Sequence, residues 1–131
     1  MLPSHTPATI RAPFAQYAHG IEVPAGYRLL VCSGQLGARP DDTVPEDVEA
    51  QADLCFSNIA EILRSAGMSV DDLVRLNAFV TGREHLQGYM RARDRFVGAR
   101  KPASTLMIVS GFSRPEFKVE VEALAAGKAR P

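Results

Sequence analysis

The sequence lacks the features that mark secreted, membrane-spanning and nucleic-acid-binding proteins. Its 131 residues include no tryptophan, and two cysteines are too few for a disulfide framework. No apolar run approaches the roughly 18 residues that a membrane-spanning helix needs. Fifteen Lys and Arg balance fifteen Asp and Glu, so the basic excess that neutralises phosphate is missing. We therefore expect a cytoplasmic protein with no membrane attachment, and we do not expect a nucleic acid partner.

What is present is the composition of one globular domain. Hydrophobic residues make up 46% of the chain and charged residues 23%, which are ordinary globular values. A chain of this length has room for one hydrophobic core, so residues 1–131 are interpreted as a single domain. The zero net charge gives little self-repulsion, which is compatible with a homo-oligomer.

Hydrophobic periodicity predicts two helices and a set of strands. Apolar residues at three- and four-residue steps predict helices over residues 45–66 and 84–97. The predicted strands are 21–23, 27–32, 73–80, 103–109 and 117–125, with the first two joined as a hairpin. This order predicts an α+β domain, a two-layer sandwich with two helices on one face of a mixed sheet of about six strands. The other face carries enough apolar residues that a second subunit is its natural cover.

Four segments of the chain resemble segments of a known family. They are Gln-Tyr-Ala-His-Gly at 16–20, the strand-ending Ser-Gly-Gln at 33–35, the helix stop and following strand at 66–74, and Lys-Val-Glu-Val-Glu-Ala at 118–123. Together they resemble the RidA (YjgF) family of small proteins over about residues 17–125. The best-known members of that family hydrolyse reactive imines and enamines.

The resemblance implies a fold, an assembly and a site. It implies a RidA/chorismate-mutase-like homotrimer with a barrel-like core, no cofactor, and a cleft between neighbouring subunits that binds a small molecule. Glu120 matches the family's closing strand, and we expect it to act as a general acid/base that positions water against a C=N carbon. Tyr17 and Ser33 are the expected hydrogen-bonding groups, and the Gly34 amide is an alternative holder of a substrate oxygen.

The chain departs from the family pattern at the positions that hold the substrate. In imine-hydrolysing members an arginine follows Pro-Ala at the start of the fifth long strand and binds the substrate carboxylate with two hydrogen bonds. Here Ser104 stands in its place and is followed by Thr105, and Leu106 stands where a cysteine is frequent. Met90 replaces an asparagine of the second helix. Arg114 or Arg100 is a candidate replacement for the missing charge.

Three functions remain open on this evidence. The first is hydrolysis or tautomerisation of a small imine- or enamine-type metabolite through Glu120, other than typical 2-iminopropanoate deamination because Ser104 cannot bind the carboxylate in the same way. The second is a non-catalytic trimer whose cleft, made more apolar by Leu106 and Met90, binds a small ligand. The third is an endoribonuclease or translation inhibitor that uses the basic residues between 91 and 101, for which a solvated helix face is the alternative.

Several chemistry-bearing residues have structural interpretations. The three histidines are scattered without metal-ligand spacing, so no metal site is predicted. Cys32 and Cys55 lie in apolar patterns and are expected to be inert core thiols. Glu122 shares a strand face with Glu120, two residues away, and is expected to have a structural role.

Overall fold

The computed structural model describes residues 2–130, in which six strands and two long helices form. The strands are β1 (Ser4–His5), β2 (Gly20–Ile21), β3 (Arg28–Leu36), β4 (Leu73–Val80), β5 (Ala103–Ile108) and β6 (Val119–Gly127), and the helices are α1 (Val48–Ser65) and α2 (Leu86–Val97). Short 3₁₀ turns, Val70–Asp72 and Arg83–His85, precede β4 and α2. The predicted α+β class is confirmed.

The main sheet has the strand order β3-β6-β4-β5. Strand β6 runs antiparallel to both β3 and β4, whereas β4 and β5 are parallel. The sheet is therefore mixed, as predicted, with both helices on one face. Of the six strands, four belong to this sheet, and β1 and β2 form a separate pair.

The predicted hairpin between residues 21–23 and 27–32 is wrong. Ile21 pairs with Ser4 of β1, and β3 pairs with β6. Pro24 has no N–H to contribute to a ladder, and Gly26 turns the chain with a φ of 81° in the left-handed region. The turn residues are present, but they separate two sheets instead of joining two strands of one.

Capping residues set the ends of both helices. The Asp47 carboxylate accepts a hydrogen bond of 3.0 Å from the Ala50 N–H, so α1 begins at Val48 and not at residue 45. Gly67 lies two residues after the end of α1 and has a φ of 70°, and Gly98 directly follows α2 and has a φ of 61°. Each glycine turns the chain away from its helix. The predicted helices are thus present with slightly later starts.

The hydrophobic core lies between the helices and the main sheet. Phe56 of α1 stacks on Phe96 of α2, with ring centroids 4.8 Å apart. Both cysteines are buried and unpaired, which confirms that they are core thiols. Fully buried side chains from both layers include Ile59, Leu63, Leu76, Tyr89, Val97, Val119 and Val121.

The face of the main sheet that points away from the helices is uncovered in the protomer. Its most exposed apolar residues lie on the two edge strands, where Leu29, Val31 and Met107 are 62%, 69% and 51% exposed. Its charged side chains, Arg75, Glu120 and Glu122, lie on the central strands β4 and β6. We call this surface the open face, and its cover by another subunit stays a prediction.

Candidate functional site

Two carboxylates of β6 lie on the open face. Burial alternates along the strand, with Val119, Val121 and Ala123 turned towards the helices. Glu120 and Glu122 therefore project from the opposite side, as two residues at i and i+2 on a strand must. The shared strand face predicted for the two residues is confirmed.

A β-bulge on β3 makes room for the Glu120 side chain. Cys32 pairs with Ala123 but Gln35 pairs with Val121, so β3 has one additional residue at Ser33–Gly34. A Cβ placed on Gly34 would lie 2.8 Å from Cδ of Glu120 and 2.9 Å from its Oε2. The Glu120 carboxyl group consequently packs onto the glycine, and a side chain at position 34 would displace it.

The environment of Glu120 favours its protonated form. Partial burial raises the pKa of Glu120, and the negative charge of Glu122 raises it further. A carboxyl group that holds its proton at higher pH is better matched to proton transfer near neutral pH than an ordinary surface glutamate. Glu120 thus combines close packing against Gly34 with a chemistry suited to acid/base work.

A hydrogen-bonded row of side chains crosses three strands beside these carboxylates. The Asn77 amide donates to Glu122 Oε1 at 2.9 Å. Arg75 donates through Nε to Asn77 Oδ1 at 2.6 Å and through Nη2 to Thr105 Oγ1 at 2.9 Å. We call Thr105, Arg75, Asn77 and Glu122 the polar row. Three of these residues, Arg75, Asn77 and Glu122, line a cavity of about 170 Å³, whose apolar wall includes Val31.

Sequence reasoning missed Arg75 and Asn77. The segment 73–80 was correctly predicted as a strand, but only its apolar positions were assigned a role. Its alternation places Arg75 and Asn77 on the side opposite the buried Leu76 and Ala78. That alternation was the available signal, although on sequence alone it describes any half-solvated strand.

The predicted substrate-binding residues of β5 divide between the two faces of the sheet. Ser104 pairs with Leu76 and Leu106 with Ala78, so both side chains turn towards the helices. Thr105 pairs with Asn77 and turns to the open face. Leu106 packs against the core, and so does Met90 of α2. Within one protomer, Glu120 and Ser104 therefore occupy opposite faces.

Tyr17 lies in the segment that runs beside the start of β5. The Ala18 N–H donates to the Pro102 carbonyl at 3.3 Å. The Tyr17 hydroxyl accepts a 3.1 Å hydrogen bond from the Phe14 N–H, and its ring meets that of His19 edge-on at 6.1 Å. The segment is thus anchored two residues before Ser104, and the role of Tyr17 in substrate binding stays a prediction.

Arg114 and Arg100, the arginines proposed from the sequence as carboxylate ligands, are both paired with carboxylates of the same protomer. Arg114 pairs with Asp42 at 3.0 Å and with Glu116 at 2.8 Å. Arg100 pairs with Asp71. Each guanidinium is neutralised where it stands, so binding a substrate carboxylate requires exchange of an existing partner.

The basic residues of α2 are neutralised in the same way. Arg91 and Arg95 both bind Glu49, at 2.8 and 2.7 Å, and Arg95 also contacts Asp53. These pairs join α2 to α1 across the helix surface. They support the interpretation of the cluster as a structural, solvated face.

A buried glutamine, also missed by sequence reasoning, fixes the start of β6. Gln51 Nε2 donates to the carbonyl oxygens of Pro45 and Glu116, at 2.8 and 2.9 Å. Its Oε1 accepts from the Lys118 N–H at 2.9 Å. The side chain thereby joins α1 to the strand that carries Glu120. A polar residue beside the apolar stripe of α1 was the signal.

Residues 2–130 contain no candidate metal cluster and no candidate membrane-spanning helix. No three His, Cys, Asp or Glu side chains in this part of the chain are grouped so that they could hold a metal ion. None of its helices combines the length and the apolar character needed to cross a membrane.

Comparisons with known proteins agree with the resemblance in the sequence. The family model described as Endoribonuclease L-PSP matches residues 8–127. The 2-iminobutanoate/2-iminopropanoate deaminase of Escherichia coli is 30% identical over 128 residues, which are 93% of this chain and 97% of the relative. The solved structure of YyfB from Yersinia pestis, a protein of the conserved Rid family, has a TM-score of 0.81 and 25% identity, covering 94% and 96% of the two chains. RidA from Psychrobacter sp. has a TM-score of 0.70 and 26% identity, covering 87% and 90%.

Proposed function

Because this chain belongs to the Endoribonuclease L-PSP (RidA/YjgF) family, we propose that it hydrolyses or tautomerises a small imine- or enamine-type metabolite at clefts between the subunits of a cytoplasmic homotrimer. The observation that carries the proposal is the placement of Glu120, whose carboxyl group packs on Gly34 and whose pKa is raised. The imine deaminase activity for which the E. coli relative is named supports the reaction class. The loss of arginine at Ser104 argues against an identical way of holding the substrate.

Glu120 has two roles in the proposed hydrolysis. It accepts a proton from water as the water oxygen bonds to the imine carbon, and the C=N π electrons move to nitrogen, which takes a proton from solvent. Glu120 then gives its proton to the nitrogen as the C–N bond breaks and ammonia leaves. The new hydroxyl group releases its proton to solvent, and the C=O bond of the carbonyl product forms. Ser33 and Tyr17 are the proposed hydrogen-bonding groups around the substrate.

The open face supports the proposed assembly. Leu29 and Val31 on one edge strand and Met107 on the other are large apolar side chains that the protomer leaves exposed. Covering them is favourable by about 25 cal/mol for each Å² of apolar surface removed from water. A second subunit that covers both edges would bring a second chain next to Glu120, as an inter-subunit site requires.

The experiment is a coupled assay in which an amino-acid oxidase generates imino acids and semicarbazide traps what is not hydrolysed. We expect the protein to reduce trapping for at least one parent amino acid, and Glu120→Gln to lower its rate by about 10²- to 10⁴-fold. Glu61→Gln, a surface change on α1, is the matched control and should leave the rate unchanged. No effect of the protein with any parent amino acid, or full activity in Glu120→Gln, would contradict the proposal.

A non-catalytic, ligand-binding trimer is the second candidate. The observation that favours it is the packing of Leu106 and Met90 against the core, where the family carries polar groups in its active members. Ligand binding that persists in Glu120→Gln, without turnover in any variant, would favour this function over the first.

A nuclease remains the third hypothesis, because the family description names an endoribonuclease. It requires Arg91 and Arg95 to leave Glu49 when RNA binds. RNA cleavage by the purified protein that disappears in the Arg91→Ala, Arg95→Ala double variant would support it.

A further inference from the structure

Arg75 is the one cationic side chain that β3, β4, β5 and β6 present on the open face. The rest of that face is apolar, neutral polar or acidic, with Glu120 and Glu122 as its charged neighbours on β6. Among the described residues, no carboxylate oxygen lies within ion-pair distance of the Arg75 guanidinium, in contrast to Arg100 and Arg114. Its charge is therefore available to an anion.

The guanidinium is already oriented before any ligand arrives. Of its five N–H donors, one on Nε binds Asn77 and one on Nη2 binds Thr105. The three that remain, two on Nη1 and one on Nη2, lie at the end of the group. Two of them are parallel and can bind both oxygens of one carboxylate. Because the side chain is held in place, binding costs little additional side-chain entropy.

The cavity beside Arg75 selects a small ligand with two different ends. Its volume of about 170 Å³ suits a molecule of a few carbon atoms, and Val31 and Leu124 form apolar walls. Glu122 stands at the other end of the polar row and uses Oε1 to accept from Asn77. Its second oxygen is an acceptor for a nitrogen-bound hydrogen. An anionic group near Arg75 and an N–H group near Glu122 describe a 2-imino or 2-amino carboxylate.

The register places this cavity within reach of Glu120. Arg75, Asn77 and Phe79 lie opposite Leu124, Glu122 and Glu120. The Arg75 side chain extends to the row of Asn77, so its guanidinium lies one row from Glu120, roughly 7 Å along the strands. That spacing accommodates the carboxylate, the imine carbon and one attacking water.

We propose that Arg75 binds the substrate carboxylate on the open face, supplying the guanidinium that position 104 lacks, and that the substrate nitrogen lies towards Glu122. This inference deepens the proposed function and rests on it for turnover, although binding can be tested alone. If a second subunit covers the apolar edges of the face, the central polar row becomes enclosed. The lower dielectric there strengthens the attraction between guanidinium and carboxylate.

The experiment measures binding of 2-oxobutanoate, a stable ketone analogue of a 2-imino acid, by isothermal titration calorimetry. We expect saturable binding to the wild-type protein and affinity about 10- to 100-fold weaker in Arg75→Gln, because a charged hydrogen-bonding partner is lost. Arg75→Lys keeps the charge without the parallel N–H pair and should bind with intermediate affinity. Arg64→Gln, at an exposed position on α1, is the matched control and should bind normally. Arg100→Gln and Arg114→Gln test the two competing arginines. Both should bind normally.

Thr105→Val provides a second route if Arg75→Gln does not fold. It removes one hydrogen bond that orients the guanidinium and leaves the charge, so a severalfold loss of affinity is expected. Light scattering after gel filtration checks that each variant keeps the wild-type mass. Absence of binding by the wild type, unchanged binding in Arg75→Gln, or loss in Arg114→Gln alone would overturn the inference.

The binding and turnover experiments can refute the site and the reaction independently of each other. Binding that depends on Arg75, in a protein that hydrolyses no imine, would retain this site and refute the proposed reaction. Imine hydrolysis with unchanged KM in Arg75→Gln would retain the reaction and refute this site.

Discussion

The two faces of the main sheet are built from the same four strands but from different chemistry. On the helix side, Leu76, Val119 and Val121 are fully buried, and their neighbours are aromatic or aliphatic. On the open side, the central strands carry the polar row and Glu120, with exposed apolar residues at the edges. Successive side chains of a strand project to opposite faces, so each residue on the helix side has chain neighbours on the open side.

The difference separates stability from function in this molecule. The helix side is complete within one protomer, because its apolar groups are covered by α1 and α2. The open side is incomplete, because charged and apolar groups stand exposed next to each other. A substitution on the helix side should therefore act on folding at any protein concentration, whereas one on the open side should act on assembly, binding or catalysis.

The largest expected effect belongs to the helix side. Ile59→Ala leaves a cavity where no water reaches, and we expect the free energy of unfolding to fall by about 2–5 kcal/mol. Val31→Asp places a charge on the open face, and its effect should depend on protein concentration if that face is covered in the proposed trimer. Urea unfolding of both variants at several protein concentrations measures the two effects.

Equal concentration dependence in the two variants would break this contrast. The oligomeric mass of each variant, measured over the same dilution series, is the control. A Val31→Asp protein that keeps the wild-type mass and loses stability at every concentration would show that this edge of the open face is not an assembly surface.

The sequence predicted the parts of the fold that are local and periodic. The strand over residues 73–80 and both helices follow from patterns spanning a few turns. The pairing of Ile21 with Ser4 did not follow, because turn residues near Pro24 are compatible with either a hairpin or a change of sheet. Pairing partners are set by the tertiary fold, which a single periodic segment does not encode.

The same limit applies to the candidate site. Glu120 was identified through its family segment, but the polar row joins Asn77 to Glu122, 45 residues away, and Arg75 to Thr105, 30 residues away. Only the register of three strands brings these side chains together. The roles predicted for Tyr17, Ser104 and Met90 concern a cleft between subunits, and they stay predictions.

Two glycines offer a sharper test, because Gly37 meets the backbone of α1 and Gly34 meets a side chain of the adjacent strand β6. A Cβ at Gly37 would lie 2.7 Å from Cα of Gln51, which is helix backbone. Gly37→Ala should therefore destabilise the protein by about 1–3 kcal/mol through overpacking. The atoms nearest to a Cβ at Gly34 belong to the Glu120 side chain, which can move. Gly34→Ala should therefore reduce stability less than Gly37→Ala does, and it should reduce the proposed imine turnover more.

The measurements are thermal unfolding and the semicarbazide assay on the same preparations. Gly111→Ala is the control, since a Cβ there meets no atom within 4 Å. Loss of stability in Gly34→Ala equal to that in Gly37→Ala would show that Glu120 is held as rigidly as the helix backbone.

Tyr89 is an exception on the helix side, because removal of its hydroxyl group should stabilise the protein. The side chain is fully buried, and its hydroxyl has no hydrogen-bond partner among the described residues. Burial also raises the pKa of Tyr89, so the hydroxyl stays neutral. Tyr89→Phe removes the unsatisfied group with little change of shape and should raise the free energy of unfolding by about 1 kcal/mol.

Denaturant unfolding measures this change in free energy, and Tyr27→Phe, at a partly exposed position, is the control. A loss of stability would mean that the hydroxyl finds a partner in the assembled protein.

The smallest expected effect lies on the open side, where it depends on pH. The pKa of Glu120 is raised in the folded protein by burial and by the charge of Glu122, so the folded state binds that proton more tightly than the unfolded chain. This contribution to stability is complete below the ordinary pKa of about 4.5 and is lost as pH rises through the raised value. Glu120→Gln cannot ionise, so near pH 7 it should be more stable than the wild type, by about 0.2–1 kcal/mol, with solvent screening keeping the gain towards the lower figure. Near pH 3 both proteins carry a neutral group at position 120, and the gain should disappear.

Unfolding of the wild type, Glu120→Gln and the surface control Glu61→Gln at both pH values tests this. A gain that is equal at the two pH values would show that the substitution acts through packing. The Glu120 carboxylate would then have the same free energy on the open face as in water.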